Sequence, residues 1–223
     1  MQHFKEQAVN QQIVKRIQNS GVIAVVILDD IKYAIPLAQA LIDGGIDILE
    51  LTLRTPAAFE AARIIKEEFP EVLLGLGTVL TEDDVLGAVK VKADFGVAPG
   101  CNPTVIKAAQ EHKLSFIPGI STPSDIEKAI ELGCGTLKYF PAETSGGMKH
   151  LSAIAAPYQH LGLKYIPLGG LNSENADQYL ASPLVAGIGG SWIADRERIK
   201  KEHWGEIREN ALAIKKIIAR IRV

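Results

Sequence analysis

The sequence predicts an α/β protein folded as a (β/α)8 TIM barrel with an extra N-terminal helix, formed by residues 1–223 as a single domain. Short apolar runs alternate with longer amphipathic stretches, eight such units occur in 223 residues, and glycine or proline follows most of the runs. Strands that are apolar throughout are typical of a parallel sheet covered on both faces. Eight βα units in a chain of this length therefore favour a closed barrel.

The predicted elements follow one another in a regular order, beginning with an amphipathic helix from about Glu6 to Asn19. Continuous apolar runs predict the strands Val22–Leu28, Ile46–Leu51, Val72–Leu76, Phe95–Ala98, Ser115–Ile117, Thr136–Phe140, Tyr165–Leu168 and Val185–Ile188. Amphipathic periodicity between the strands predicts the helices Ile31–Asp43, Ala57–Phe69, Asp83–Lys92, Thr104–His112, Ser124–Leu132, Lys149–Ala156 and Glu174–Leu180. A final helix is predicted from about Trp204 to Arg220.

Glycine and proline mark the carboxyl ends of the predicted strands, which is the end where barrel active sites lie. Glycine at such a turn allows the backbone to approach a ligand closely, although βα turns also need glycine for their own conformation. The structural alternative is a doubly wound open sheet, which usually has a glycine-rich turn after its first strand. Here Asp29 and Asp30 occupy that turn, which favours the barrel.

Composition excludes several classes of function. The formal net charge is −2 and no basic stripe is present, so a nucleic-acid partner is not expected. The two cysteines, Cys101 and Cys134, and the five histidines show no metal-ligand spacing, which predicts no metal and free thiols in a reducing cytoplasm. The apolar run Gly21–Leu28 is too short to cross a bilayer, so no membrane association is predicted.

A lysine lies inside the apolar run Gly135–Glu143, within the sixth predicted strand. Burying an unpaired ammonium is costly, so a lysine in such a position tends to lose its proton. A neutral amine can attack a ketone and form a Schiff base, which makes Lys138 a candidate nucleophile. The alternative is a lysine whose stem is buried while its ammonium reaches solvent at the strand end.

Glu50, Thr52 and Arg54 alternate with leucines at the end of the second predicted strand, so their side chains share one face. Interior layers of a barrel draw side chains from alternate strands. Glu50 and Lys138, on the second and sixth strands, are therefore expected in one layer on opposite walls. A carboxylate beside the amine could relay protons, and an internal ion pair is the alternative.

Three further turns are candidate binding sites. Thr78, beside Gly77, offers a hydroxyl and an N–H to a carboxylate, and the alternative is that it caps the following helix together with Thr81-Glu82. The turns after the last two strands contain Gly169-Gly170 and Gly189-Gly190-Ser191. Phosphate sites in barrels are commonly built from these two turns, so a phosphate site is predicted there.

These residues together resemble the family of 2-keto-3-deoxy-6-phosphogluconate (KDPG) aldolases, which often also act on 4-hydroxy-2-oxoglutarate. The resemblance covers nearly the whole chain. The segments that carry it are Gly45–Arg54, Gly77–Leu80, Pro118–Thr122, Leu137–Glu143 with Gly146-Gly147, and Gly189–Trp192.

The resemblance implies a role for each candidate residue. Lys138 is implied as the Schiff-base lysine and Glu50 as the general acid/base. The residues implied to bind or enclose the substrate are Arg54 and Thr78 at its pyruvyl end, Pro99, Pro118 and Phe140 as walls, and Gly169, Gly170 and Ser191 at its phosphate. The family further implies a class I aldolase without metal or cofactor, a phosphorylated keto-acid substrate, a cytoplasmic homotrimer and a place in the Entner-Doudoroff pathway.

The chain departs from the family pattern at Leu168, where gluconate-type enzymes usually carry threonine and a galactonate-type relative has an apolar residue. The difference removes a hydroxyl near the distal end of the substrate and leaves a phosphogalactonate-type aldolase as one alternative. Another phosphate-binding barrel enzyme, such as a sugar-phosphate epimerase or isomerase, is a second alternative. A non-catalytic phosphosugar-binding protein is the third.

Overall fold

The computed structural model describes residues 10–222, in which strands and helices alternate along the chain. The β strands are β1 (Val22–Val26), β2 (Ile48–Thr52), β3 (Leu73–Gly77), β4 (Phe95–Val97), β5 (Ser115–Ile117), β6 (Gly119–Ile120), β7 (Thr136–Tyr139), β8 (Lys164–Pro167) and β9 (Ile188–Gly190). The α helices are α1 (Gln11–Ser20), α2 (Ala34–Asp43), α3 (Ala58–Glu68), α4 (Glu82–Lys90), α5 (Pro103–Glu111), α6 (Pro123–Glu131), α7 (Gly147–Ala155), α8 (Ala176–Leu180), α9 (Arg196–Lys200) and α10 (Trp204–Ile221). Two 3₁₀ helices, Ile31–Tyr33 and Ala156–Leu161, complete the regular structure of this region.

The strands do not form the predicted closed eight-stranded TIM barrel. They form two parallel sheets, one of six strands in the order β5-β4-β3-β2-β1-β9 and one of three strands in the order β6-β7-β8. The prediction of a (β/α)8 barrel was therefore wrong. The continuous ladder that a barrel requires is interrupted at two places.

The first interruption lies at Pro118, which separates β5, the fifth predicted strand, from the short additional strand β6. Proline has no backbone N–H and cannot donate to a ladder. β5 pairs with β4 as far as Ile117, which lies opposite Val97. β6 then pairs with β7, where Gly119 lies opposite Lys138. The chain thus passes from one sheet to the other at Pro118.

The second interruption lies between β8 and β9. The last strand begins at Ile188, later than the predicted Val185, and Val185 forms only an isolated bridge with Tyr165. The Arg222 guanidinium binds the carbonyl oxygens of Val185 and Ala186 at 2.9 and 2.8 Å. These two carbonyls accept from a side chain, and the backbone pairing of this stretch with β8 consists of the Tyr165 N–H donating to the Leu184 carbonyl and the Ala186 N–H donating to the Tyr165 carbonyl.

Both sheets nevertheless face one interior. A cluster of buried apolar side chains, the inner cluster, is drawn from strands of both sheets and from α1, and it comprises Ile13, Ile17, Ile23, Val25, Ile48, Leu73, Phe95, Val97, Ile117, Ile166, Leu168 and Ala186. A larger cluster fills the space between the strands and the surrounding helices. Alternate residues of β2 divide between the two clusters, since Ile48 belongs to the inner one and Leu49 and Leu51 to the outer one.

The extra N-terminal helix is α1, whose first turn is capped by the Asn10 side chain, which accepts from the Gln12 N–H. Ile13 and Ile17 of this helix enter the inner cluster. The predicted start of the helix near Glu6 lies outside the described residues. In the described part of the chain, no helix combines the length and apolar character needed to cross a bilayer.

Candidate active site

Glu50 and Lys138 meet in the interior, where β2 and β7 face each other from different sheets. The Lys138 Nζ donates to Glu50 Oε1 at 3.3 Å. Both side chains are almost fully enclosed, with exposed fractions of 1% for Glu50 and 6% for Lys138. The Nζ atom also lies 5.1 Å from the centre of the Phe140 ring. A buried amine is thus held between a carboxylate and an aromatic face.

Two glycines of β3 lie next to β2, and one of them leaves room for the Glu50 side chain. Gly75 lies opposite Glu50 in the ladder, and Gly77 lies opposite Thr52. The space at Gly75 is filled by the Phe95 ring, which a Cβ at Gly75 would meet at 2.2 Å. The space at Gly77 is filled by the Glu50 carboxylate, since a Cβ at Gly77 would lie 2.2 Å from Oε1. The missing side chain at Gly77 therefore determines where the carboxylate lies.

Thr52 and Arg54 follow Glu50 toward the carboxyl end of β2. Thr52 is 1% exposed, and its hydroxyl has no hydrogen-bond partner among residues 10–222. Arg54 lies beyond the strand, where its N–H donates to the Thr52 carbonyl at 2.8 Å, and it is exposed. The structure therefore places Thr52 beside the buried pair and Arg54 at the rim above it.

Thr78 turns the chain at the carboxyl end of β3. Its φ of 63° lies in the left-handed region, which a β-branched residue rarely adopts. Such strained backbone clusters at functional sites, where surrounding structure holds it in place. Of the residues in the capping alternative, Thr81 is the N-cap of α4 and forms its capping box with Asp84, whereas Thr78 takes no part in the cap. Thr78 is half-buried, and its side chain does not cap α4.

The three residues predicted to enclose the substrate differ in their burial. Pro118 is buried, Phe140 is half-buried and Pro99 is exposed. The turns after β4 and β5 are in close contact, because a Cβ at Gly119 would lie 2.1 Å from the Pro99 carbonyl oxygen. The Phe140 ring reaches from the Lys138 amine to the turn after β8, where a Cβ at Gly169 would meet it at 3.1 Å.

The turns predicted to bind phosphate lie beyond Phe140. Gly169 and Gly170 have φ angles of 94° and 82°, a conformation that favours glycine. Their loop is held by the Glu143 N–H, which donates to the Gly169 carbonyl at 3.0 Å. Ser191 follows β9 and is exposed, so its hydroxyl is accessible. Leu168 turns inward, where its Cγ lies 2.4 Å from the position of a Cβ on Gly189.

The sequence did not predict a hydrogen bond between two side chains, Tyr179 and Glu143, that stabilises the Gly169-Gly170 turn. The Tyr179 hydroxyl donates to the Glu143 carboxylate, and burial raises the pKa of that tyrosine well above its usual range. The Glu143 side chain packs against Gly170, where a Cβ would lie 2.7 Å from the Glu143 Cβ. Because Tyr179 is 36 residues from Glu143, no local sequence pattern links the two.

No group of three or more histidine, cysteine, aspartate or glutamate side chains that could hold a metal ion occurs within residues 10–222. Cys101 and Cys134 are free thiols, half-buried and buried respectively. The absence of a metal and of a cofactor stays a prediction from the sequence.

Comparison with known proteins identifies the family. A family model described as KDPG and KHG aldolase matches residues 13–210 of the chain. The chain belongs to this aldolase family. The match includes both β2 with Glu50 and β7 with Lys138, so the buried pair lies inside the matched region.

Individual relatives agree with the family model. The chain is 38% identical over 197 residues to the 2-dehydro-3-deoxy-phosphogluconate aldolase of Haemophilus influenzae, which covers 88% of this chain and 92% of the relative. It is 40% identical over 195 residues to the aldolase of the same description from Treponema pallidum, covering 87% and 92%. Among solved structures, the KDPG aldolase of Legionella pneumophila, with pyruvate captured as a covalent carbinolamine, has a TM-score of 0.86 and 37% identity, covering 90% of this chain and 97% of that one.

Proposed function

We propose that this chain is a class I aldolase that cleaves KDPG to pyruvate and glyceraldehyde 3-phosphate, and 4-hydroxy-2-oxoglutarate to pyruvate and glyoxylate. The observation that carries the proposal is the buried contact of 3.3 Å between the Lys138 amine and the Glu50 carboxylate. In this proposal Lys138 is the nucleophile and Glu50 the proton acceptor, and their contact in a buried interior supports these roles because covalent aldol chemistry uses both groups together. Membership of the KDPG and KHG aldolase family supports the same activity.

The first stage forms the covalent intermediate. The contact with Glu50 gives Lys138 a route for losing a proton, because the carboxylate accepts it from the ammonium. The neutral Nζ attacks the C2 ketone of the substrate, and the carbonyl oxygen becomes a hydroxyl as the carbinolamine forms. That hydroxyl leaves as water with the proton that Glu50 took from the ammonium, which leaves a protonated imine between Nζ and C2 and returns Glu50 to its carboxylate form.

The second stage breaks the carbon–carbon bond. Glu50 takes the proton of the C4 hydroxyl, and the C3–C4 electron pair moves into the C2–C3 bond as the iminium nitrogen accepts the C2–N pair. The products at this point are glyceraldehyde 3-phosphate and an enamine on Lys138. Protonation at C3 and hydrolysis of the imine then release pyruvate and regenerate the amine.

The remaining site residues are assigned to binding. Thr78 and the rim residue Arg54 take the pyruvyl carboxylate, where a guanidinium can form paired hydrogen bonds. Pro99, Pro118 and Phe140 enclose the reacting carbons. Their placement contributes through orientation of the substrate, which can supply a large part of the lowering of the activation free energy.

The distal phosphate is assigned to Gly169, Gly170 and Ser191, which lie past the Phe140 ring from the amine. Main-chain N–H groups at two glycine turns and a serine hydroxyl are suitable donors to phosphate oxygens. The inward Leu168 side chain supplies no hydroxyl that could orient the distal part of the sugar acid. The phosphogalactonate substrate is therefore a second candidate. The homotrimer and the cytoplasmic location remain proposals that rest on the family resemblance.

The deciding experiment is reductive trapping with pyruvate and borohydride, followed by peptide mass spectrometry. An aldolase acquires one reduced three-carbon unit on Lys138, whereas a sugar-phosphate epimerase, an isomerase or a binding protein acquires none. The matched variant is Lys138→Arg, which keeps the positive charge beside Glu50 but removes the nucleophile. Its pyruvate release should fall by about a thousandfold or more. Retained turnover in this variant would end the covalent mechanism.

Substrate preference is measured with the same pyruvate assay, coupled to lactate dehydrogenase. The gluconate-derived, galactonate-derived and unphosphorylated substrates are compared at equal concentrations. A higher kcat/KM for the galactonate-derived substrate than for KDPG would reassign the enzyme to the phosphogalactonate type.

A further inference from the structure

Thr52 carries a buried hydroxyl that the proposed mechanism does not use. The residue is 1% exposed, and its Oγ1 atom has no hydrogen-bond partner in the part of the chain that the structure describes. Buried polar groups are almost always hydrogen-bonded, and leaving one unpaired costs stability. An unpaired buried hydroxyl beside the reacting groups therefore indicates a role in the reaction.

The hydroxyl lies close to the Glu50 carboxylate in the sheet. Thr52 and Glu50 are two residues apart on β2, so their side chains share the inward face. Thr52 lies opposite Gly77, and the Glu50 carboxylate rests against that same glycine. The Glu50 carboxylate thus extends along the strand toward Thr52, although no hydrogen bond joins the two side chains in the free protein.

Formation of the imine removes the partner that Glu50 has in the free protein. The hydrogen bond to Glu50 comes from the Lys138 amine, which is also the atom that must bond to the substrate C2. When the ketone enters between them, the Lys138–Glu50 contact opens. A carboxylate that is 1% exposed then needs another donor, because an unpaired buried charge is strongly unfavourable.

We propose that the Thr52 hydroxyl replaces Lys138 as the hydrogen-bond donor to Glu50 once the covalent intermediate forms. Rotation about χ1 moves a threonine hydroxyl between staggered positions without any change in the backbone. The new bond holds the carboxylate in place while it exchanges protons with the bound substrate. Thr52 is thus a positioning residue acting through Glu50, an inference that rests on the proposed aldolase function.

The test compares two steps of the reaction with pyruvate alone. Borohydride trapping measures imine formation at Lys138. Exchange of the pyruvate methyl protons for deuterium in heavy water, followed by NMR, measures proton transfer at C3. In this transfer the C–H bond breaks, its proton passes to the Glu50 carboxylate, and its electron pair enters the C2–C3 bond of the enamine.

Thr52→Val keeps the shape of the side chain but removes the hydroxyl. Trapping should stay near the wild-type level, while exchange should slow about tenfold or more, the effect of losing a hydrogen bond to a charged group. The melting temperature should not fall, because the hydroxyl has no partner in the free protein. Thr52→Ser should restore exchange. Thr136→Val, on the inward face of β7 toward its amino end, is the matched control and should exchange like wild type.

Wild-type exchange in Thr52→Val would overturn the inference. So would a parallel loss of trapping and melting temperature that serine does not rescue, because that pattern indicates a structural role. These outcomes are separate from failure of the proposed function itself, which would appear as the absence of any pyruvate adduct on wild-type Lys138.

Discussion

Replacing Gly77 by alanine tests whether the position of the Glu50 carboxylate controls catalysis. The added Cβ would lie 2.2 Å from Oε1 and 2.9 Å from both Cδ and Cγ of Glu50, whereas ordinary contact begins near 3.4 Å. The carboxylate must therefore move by about 1 Å from its present position beside Lys138. The backbone does not oppose the change, because Gly77 lies within β3 and is not among the residues with positive φ.

The expected consequence is a loss of turnover with little loss of stability. A displacement of about 1 Å in a reacting group can reduce the rate by about a hundredfold. The atoms that must move belong to the end of a flexible side chain, so the melting temperature should change by no more than about 2 °C. Pyruvate release coupled to lactate dehydrogenase measures the first effect, and a thermal unfolding curve measures the second.

Gly75→Ala is the matched control on the same face of the same strand. Its Cβ would meet the fully buried Phe95 ring at 2.2 and 2.3 Å. Overpacking of this kind costs about 1–3 kcal/mol, which corresponds to a fall in melting temperature of about 2–12 °C for a chain of this size. Gly75→Ala should thus lose mainly stability and Gly77→Ala mainly activity. Near-normal turnover in Gly77→Ala would refute the reasoning.

Two further predictions concern ionisable groups outside the site. The Arg196 guanidinium lowers the pKa of Asp29 below its ordinary value of 3.8, so the pair stabilises the fold above that pH and loses this effect as the carboxylate becomes protonated at lower pH. Asp29→Asn should therefore lower the melting temperature slightly near neutral pH, and a deficit that persists in acid would contradict this assignment. Burial raises the pKa of Cys101 to about 11 and of Cys134 to about 12, so both should react slowly with iodoacetamide near neutral pH. Rapid alkylation, detected by intact mass, would argue against this burial.

The local pattern of the sequence was enough to place the two central side chains. Alternation along a strand puts every second residue on one face, so Glu50 and Lys138 could each be assigned inward from their own neighbours. The positions of the strands themselves followed from short apolar runs, and the predicted strand Ser115–Ile117 is confirmed to the residue. The chemistry of the candidate nucleophile was likewise readable from one lysine in an apolar strand.

Only the tertiary structure decided how the strands join and what supports the site. The ladder breaks at Pro118 and at the carbonyls bound by Arg222, and the second of these contacts joins residues more than 30 positions apart. The space that Gly77 leaves for Glu50 and the unpaired hydroxyl of Thr52 depend on the register between neighbouring strands. Periodicity assigns a side chain to a face, but register and packing between distant segments determine which atoms it meets there.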